Sequence, residues 1–210
     1  MMQRVAFIGV GRIGAPMALR IAGAGHCVAA YDRDYRSLDA ELRRRSTGPV
    51  GARVLSSELQ RAGSAAEAVA DADVVCVCLP GPAEAEELLL GGGGSHGLVA
   101  SLRDGAALVD HTTNEPQLSK RIHEACASRA DVSVAAIDAP VSGGVESARL
   151  GELTMLVGAE DSAVVERARP VLETMATHVG LCGGPVSLAT VGLGCGLLLT
   201  ATVAANRAPA

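Results

Sequence analysis

Six residues near the amino terminus, Gly9-Val10-Gly11-Arg12-Ile13-Gly14, spell G-x-G-x-x-G directly after the apolar run Val5-Ala6-Phe7-Ile8. Between a strand and a helix this spacing suits the pyrophosphate of a dinucleotide. Gly9 makes the tight turn, Gly11 lets the backbone approach the phosphates, and Gly14 lets the helix close on the strand. The exposed N–H groups and the helix dipole then favour the anion. A second apolar run ends at Tyr31-Asp32, twenty-three residues beyond Gly9, where a carboxylate can accept the ribose hydroxyls. Asp32 favours NAD, because it would repel the 2′-phosphate of NADP. Arg33 either grips that phosphate, which keeps NADP open, or is a solvated surface arginine.

A second constellation lies in Asp138-Ala139-Pro140-Val141-Ser142-Gly143-Gly144. Ser142 offers a hydroxyl, and Gly143 and Gly144 offer backbone N–H groups free of side-chain obstruction. With a helix starting there, its positive end faces the same point, and the combination suits the carboxylate of a small substrate. The alternative is a plain helix cap. His111 follows a strand at the same edge of the sheet and is either a proton-transfer group or a solvated or hydrogen-bonded loop side chain. His26 reads as a helix-end residue, His96 as a loop position and His123 as a surface one.

These groups need a scaffold, and apolar runs alternate with amphipathic stretches along the chain. Strands are expected at Val5–Ile8, Cys27–Tyr31, Asp73–Leu79, Ala106–Val109, Val132–Asp138, Leu153–Val157 and Thr177–Cys182, with a brief one near Arg53-Val54-Leu55. Helices are expected at Ala15–Ala24, Asp34–Arg45, Ala65–Ala70 behind Ser64, a stretch ending at Leu90, Leu118–Arg129 and Ser162–Met175. This alternation implies an α/β fold, a Rossmann-type doubly wound and mainly parallel sheet.

With those elements in place, residues 2 to 186 resemble the β-hydroxyacid dehydrogenases, the group of 3-hydroxyisobutyrate dehydrogenase and tartronate semialdehyde reductase. The resemblance rests on the glycine turn, on Pro16-Met17-Ala18, and on Gly25-His26 before the second strand. It continues through Cys78-Leu79-Pro80, Asp110-His111-Thr112-Thr113 with Pro116, and most specifically Asp138 to Gly144. It implies that Leu79, Pro80 and Thr113 contact the cofactor and that Ser142, Gly143 and Gly144 hold the substrate. It also implies hydride transfer between NAD(P) and a small 3-hydroxy acid or its semialdehyde. The same alignment puts Gly192 where the family has its general acid/base lysine. No catalytic residue is therefore assigned, and a non-catalytic NAD-binding module is the competing reading. Imine reduction is a third reading, against which the intact Asp138–Gly144 segment speaks.

Composition narrows the partners. The net charge is −5, and among 18 basic residues Lys120 is the single lysine, so nucleic acid is not expected as a partner. Six cysteines without a C-x-x-C pair or a histidine at zinc spacing argue for a reduced, cytoplasmic protein without metal. Cys27, Cys76 and Cys78 lie in strand-like runs and read as small hydrophobes. Val186 to Ala205 holds twenty uncharged residues, long enough for a membrane anchor but diluted by glycine, so a buried helix is expected. The expected division is a dinucleotide-binding domain at 1–185 and, at 186–210, the start of an interdomain helix whose helical domain is absent. Self-association through that apolar segment follows.

Overall fold

The first apolar run forms β1 (Arg4–Ile8), in which every residue after Arg4 is buried. A strand buried on both faces needs helices above and below it, and they supply the layers of the fold. The computed structural model describes residues 2–46, 59–92 and 96–184. Within them β2 (Cys27–Tyr31), β3 (Leu59–Arg61), β4 (Val74–Val77), β5 (Ala107–Asp110) and β6 (Ala135–Asp138) join β1 in parallel, in the order β3-β2-β1-β4-β5-β6. The two-residue β7 (Val141–Ser142) and β8 (Leu153–Gly158) run antiparallel to each other. β8 is also antiparallel to β6, and β9 (Ala176–Gly183) pairs parallel with β8.

The order in which strands are added reverses between the parallel neighbours β1 and β4, so the loops after these two strands diverge to opposite faces. A crevice opens at their carboxyl ends. On one face lie α1 (Gly14–Gly23), α2 (Arg36–Ser46), α6 (Gly144–Leu150) and α7 (Ser162–Leu172). On the other lie α3 (Ala65–Val69), α4 (Pro82–Leu90) and α5 (Pro116–Ala127). Alternation along β1 feeds both cores: Val5 and Phe7 enter the first, Ala6 and Ile8 the second.

Local chemistry explains the helix starts. Ser64 caps α3 by accepting the Glu67 N–H at 3.1 Å, and Asp161 caps α7 by accepting that of Ala163 at 2.8 Å. Pro82 and Pro116 open α4 and α5, where their missing N–H groups would have had no helical partner. α1 is buried on nearly every side, because α2 and α6 flank it while it lies on the sheet. Its small residues permit that close packing.

Some expectations change. The strand expected near Arg53 and the segment from Val186 to Ala205 lie outside the described residues. The strand beside β2 is instead Leu59–Arg61, within a stretch that reads as irregular because only Leu59 of the three is buried. A helix does start in the Ser142-Gly143-Gly144 segment, at Gly144, while Ser142 itself is taken into β7 against Thr154. His123 is buried rather than on the surface, since α5 turns that residue toward the end of β6. Cys27 is exposed at the first position of β2. Among the described residues no helix is long and apolar enough to cross a membrane.

Phe7, the single phenylalanine, is fully buried, and its ring edge lies beneath the start of α1. Phe7→Ala removes the largest side chain joining β1 to α1. It is expected to cost about 3–5 kcal/mol of stability, read as a fall in the urea midpoint with little change in the slope of the transition.

Candidate functional site

The crevice is built on the turn after β1. The Gly9 N–H donates to the Tyr31 carbonyl at 2.9 Å, which ties the turn to the end of β2. Gly9 holds φ +93, and a Cβ there would lie 2.2 Å from the Cys78 carbonyl oxygen. A Cβ on Gly14 would lie 1.9 Å from the Gly9 oxygen, so only glycine lets α1 approach β1 this closely. Gly11 behaves in the opposite way, with nothing within 4 Å of where its Cβ would be. Among the described residues no acceptor takes the N–H groups of Gly11, Arg12 or Ile13, the free donors of a helix start.

A cleft of ≈ 770 Å³ extends from this turn. Gly9, Gly11, Arg12, Ile13 and Gly14 line one side, with Asp32 and Arg33 beyond them. Leu79 and Pro80 form the facing wall with Cys78. Val10 is the exception within the fingerprint, because its side chain is buried in the core. Asp32 Oδ1 accepts the Asp34 N–H at 3.0 Å, which steadies the carboxylate at the end of β2. Asp34, Glu84 and Glu87 add negative charge around the same cleft, and Glu87 pairs with Arg33 at 3.8 Å. Arg33 is therefore solvated and already engaged with a carboxylate.

The loops after β5 and β6 leave the same carboxyl edge of the sheet, and hydrogen bonds join them. His111 Nδ1 lies 2.8 Å from the Ala139 carbonyl oxygen and acts as donor, since a carbonyl can only accept. Burial holds the His111 pKa down at about 4, so the ring is neutral near pH 7. Of its two expected roles, the geometry matches the hydrogen-bonded loop side chain. Thr113 is exposed and does not line the cleft. Its neighbour Thr112 is buried, and its Oγ1 accepts the Leu79 N–H at 3.1 Å. Two consecutive threonines give a sequence reader no way to tell which one faces the wall. Thr112 is the functional candidate that sequence reasoning missed.

Ser142 ends β7, Gly143 follows it and Gly144 opens α6, just beyond the loop after β6 and outside the lining of the cleft. Ser142 is half-buried, and both glycines are exposed with positive φ. Beneath the two loops, Asp110 accepts the Thr112 N–H at 2.9 Å and Asn114 Nδ2 at 2.7 Å. Desolvation, reinforced by the charge of Asp138, still raises the Asp110 pKa to about 6 against the pull of those bonds. Lys120 is exposed on α5, with Nζ 3.6 Å from Glu124, and Gly192 lies outside the described residues. No group of three or more histidine, cysteine or acidic side chains could hold a metal among the described residues.

Known proteins resemble this chain in sequence and fold. A family model described as the NAD binding domain of 6-phosphogluconate dehydrogenase matches residues 4–184. An NAD-dependent L-serine dehydrogenase of Pseudomonas aeruginosa is 34% identical over 178 residues, 85% of this chain and 53% of that relative. A 3-hydroxyisobutyrate dehydrogenase of the same organism is also 34% identical, with the same coverage of 85% and 53%. The structure of Mycobacterium tuberculosis 3-hydroxyisobutyrate dehydrogenase with L-serine matches at a TM-score of 0.76 and 30% identity, over 95% of this chain and 60% of that one. The chain spans about half the length of the curated relatives it matches.

The raised Asp110 carboxyl has a thermodynamic signature. The folded chain keeps this proton up to about pH 6, whereas an unfolded aspartate loses it near pH 3.9. The stabilisation is thus fully present below the unfolded value and is lost as pH rises through about 6. Urea stability of the wild type relative to Asp110→Asn should therefore climb as pH is lowered through this window. A constant difference would remove the titration from Asp110.

Proposed function

Because the chain belongs to the β-hydroxyacid dehydrogenase family, with NAD(P) as its cofactor, we propose that it is the dinucleotide-binding part of an oxidoreductase acting on a small 3-hydroxy acid or its semialdehyde. The observation that carries this reading is the row of free N–H groups from Gly11 to Ile13, opening into a cleft whose far end holds Asp32. The residues present fit the cofactor. Gly11 is clear of any neighbour on its open side, as an approaching pyrophosphate requires, while Gly9 and Gly14 shape the turn behind it.

In this scheme the turn and the amino terminus of α1 bind the pyrophosphate, and Asp32 accepts the ribose hydroxyls. Asp32, Asp34, Glu84 and Glu87 surround the ribose end with carboxylates, and Glu87 occupies Arg33. That charge disfavours a 2′-phosphate, which supports NAD over NADP. Leu79 and Pro80 wall off the nicotinamide side, with Thr112 bracing that wall and Thr113 offered to the cofactor from the exposed side of the same loop. Ser142, Gly143 and Gly144 offer a hydroxyl and N–H groups to the substrate carboxylate. When bound, the nicotinamide takes up or gives a hydride at C4. His111 fixes the relative position of the two loops through Ala139. The setting we propose is the cytoplasm, with self-association through residues 186–210.

A second reading is a module that binds NAD and does not turn over. It is favoured by the lysine count: the single lysine, Lys120, is exposed and paired with Glu124, and the resemblance puts Gly192 at the general acid/base position. Loss of such a group typically lowers rates about 10²–10⁴-fold. Following NADH absorbance with 3-hydroxyisobutyrate, L-serine and a cyclic imine separates the readings. Substrate-dependent rates proportional to protein support the oxidoreductase, binding without turnover supports the module, and turnover of the imine alone points to imine reduction.

Asp32→Ala is expected to weaken NADH binding by about tenfold, the loss of a charge-assisted hydrogen bond, and NADPH binding much less. Fluorescence titration of both nucleotides checks this. Equal effects on the two would remove Asp32 from its ribose role.

A further inference from the structure

A buried polar cluster lies under the cleft wall, and its two carboxylates have no part in the scheme above. Asp110 and Asp138 end neighbouring parallel strands in the same register, and both are buried. The two Asp110 oxygens accept from Thr112 and Asn114. Thr112 Oγ1 in turn accepts the Leu79 N–H. An unbroken run of hydrogen bonds therefore leads from a buried carboxylate to the wall of the cleft. Three further buried atoms, Asn114 Oδ1, His123 Nε2 and Asp138 Oδ2, make no hydrogen bond in the structure.

We propose that Asp110 is a positioning residue for the dinucleotide: its ionised carboxylate braces the Leu79 wall through Thr112, and proton uptake there weakens dinucleotide binding. This rests on the reading of the cleft as the dinucleotide site.

The groups facing Asp110 define what its proton does. From β6 comes Asp138, whose charge adds to the desolvation that raises Asp110 to about 6. From α5 comes His123, with Nε2 3.8 Å from Asp138 Oδ1. After β4 comes the Cys78 thiol, pushed up to about 12 by burial and by Asp110. After β5 comes His111, neutral above about pH 4. Protonation turns one carboxylate oxygen from acceptor to donor. The Thr112 N–H cannot reverse, so the change falls on the two other donors to the carboxylate, the Asn114 amide and the Thr112 hydroxyl. The Asn114 amide can turn over to offer Oδ1, the oxygen that has no partner here, or the hydroxyl can reverse to accept. A charge-assisted bond becomes a neutral one about half as strong, and the turn that holds Thr112 loosens. Folding and dinucleotide affinity thus respond to one proton with opposite signs.

The test titrates NADH by fluorescence against the wild-type chain from about pH 8 to about pH 5.5, and follows the Leu79 amide resonance of the free protein over the same range. The NADH Kd should rise about threefold to tenfold toward acid, and Leu79 should shift with a midpoint near 6. Asp110→Asn, which cannot ionise, should bind NADH weakly with a flat profile. Thr112→Val, which removes the acceptor of the Leu79 N–H, should bind weakly at every pH and uncouple Leu79 from the titration; it keeps the proposal testable if Asp110→Asn does not fold. A Leu79 resonance that does not titrate, a wild-type affinity flat in pH, or a profile that survives Asp110→Asn overturns the proposal. Absence of NADH binding at any pH, with Leu79 still titrating, instead overturns the dinucleotide reading and the binding role with it, while leaving the proton-linked turn in place.

Discussion

The Gly9 carbonyl oxygen occupies the space that a Cβ on Gly14 would need. This approach brings α1 down onto β1 and seats its amino terminus at the carboxyl edge of the sheet. Phe7 fills the space beneath, α2 and α6 close over the helix, and the donors of its first turn remain without acceptors. A larger residue at Gly14 would lift the helix and separate those donors from the end of β2. The helix is buried on almost every side, and apart from the Phe7 ring beneath it the core around it is aliphatic.

A parallel sheet covered on both faces excludes water from its strands, so polar groups concentrate at its edges. Here they gather at the carboxyl ends of β5 and β6, where Asp110, His111, Asp138 and His123 are all buried. Each carries a desolvation cost that hydrogen bonds only partly offset. What this corner of the sheet secures is the geometry of three loops that would otherwise be independent. His111 joins the loop after β5 to the loop after β6, and Thr112 joins the loop after β5 to the loop after β4. Three loops from three strands are thereby locked into one surface.

This division of labour agrees with the relatives. The family model covers the sheet from β1 to the end of β9, and the matched relatives are about twice as long as the matched region. The described residues hold an NAD-binding domain with a cleft at the carboxyl edge of its sheet. The position that the resemblance assigns to proton transfer is Gly192, which has no side chain to titrate. Cofactor recognition and chemistry are therefore separable questions in this chain, and the cleft speaks to the first.

The glycine fingerprint, Asp32 and the alternation of strands and helices are local signals, and they are legible because each arises from residues close together in the chain. A turn needs glycine at a fixed offset, and a strand buried on both faces reads as a continuous apolar run. Those signals determined the fold class and the place of the cleft. They could not reveal that Thr112 rather than Thr113 meets Leu79, that Ser142 is drawn into a strand against Thr154, or that His123 turns inward to Asp138. Each of these depends on a partner on another strand or helix, thirty-three residues away for Thr112 and Leu79. Only the packing of the sheet brings such partners together. The sequence by itself determined where the free donors of a helix start meet the cleft, and the tertiary structure decided which buried groups hold that place in shape.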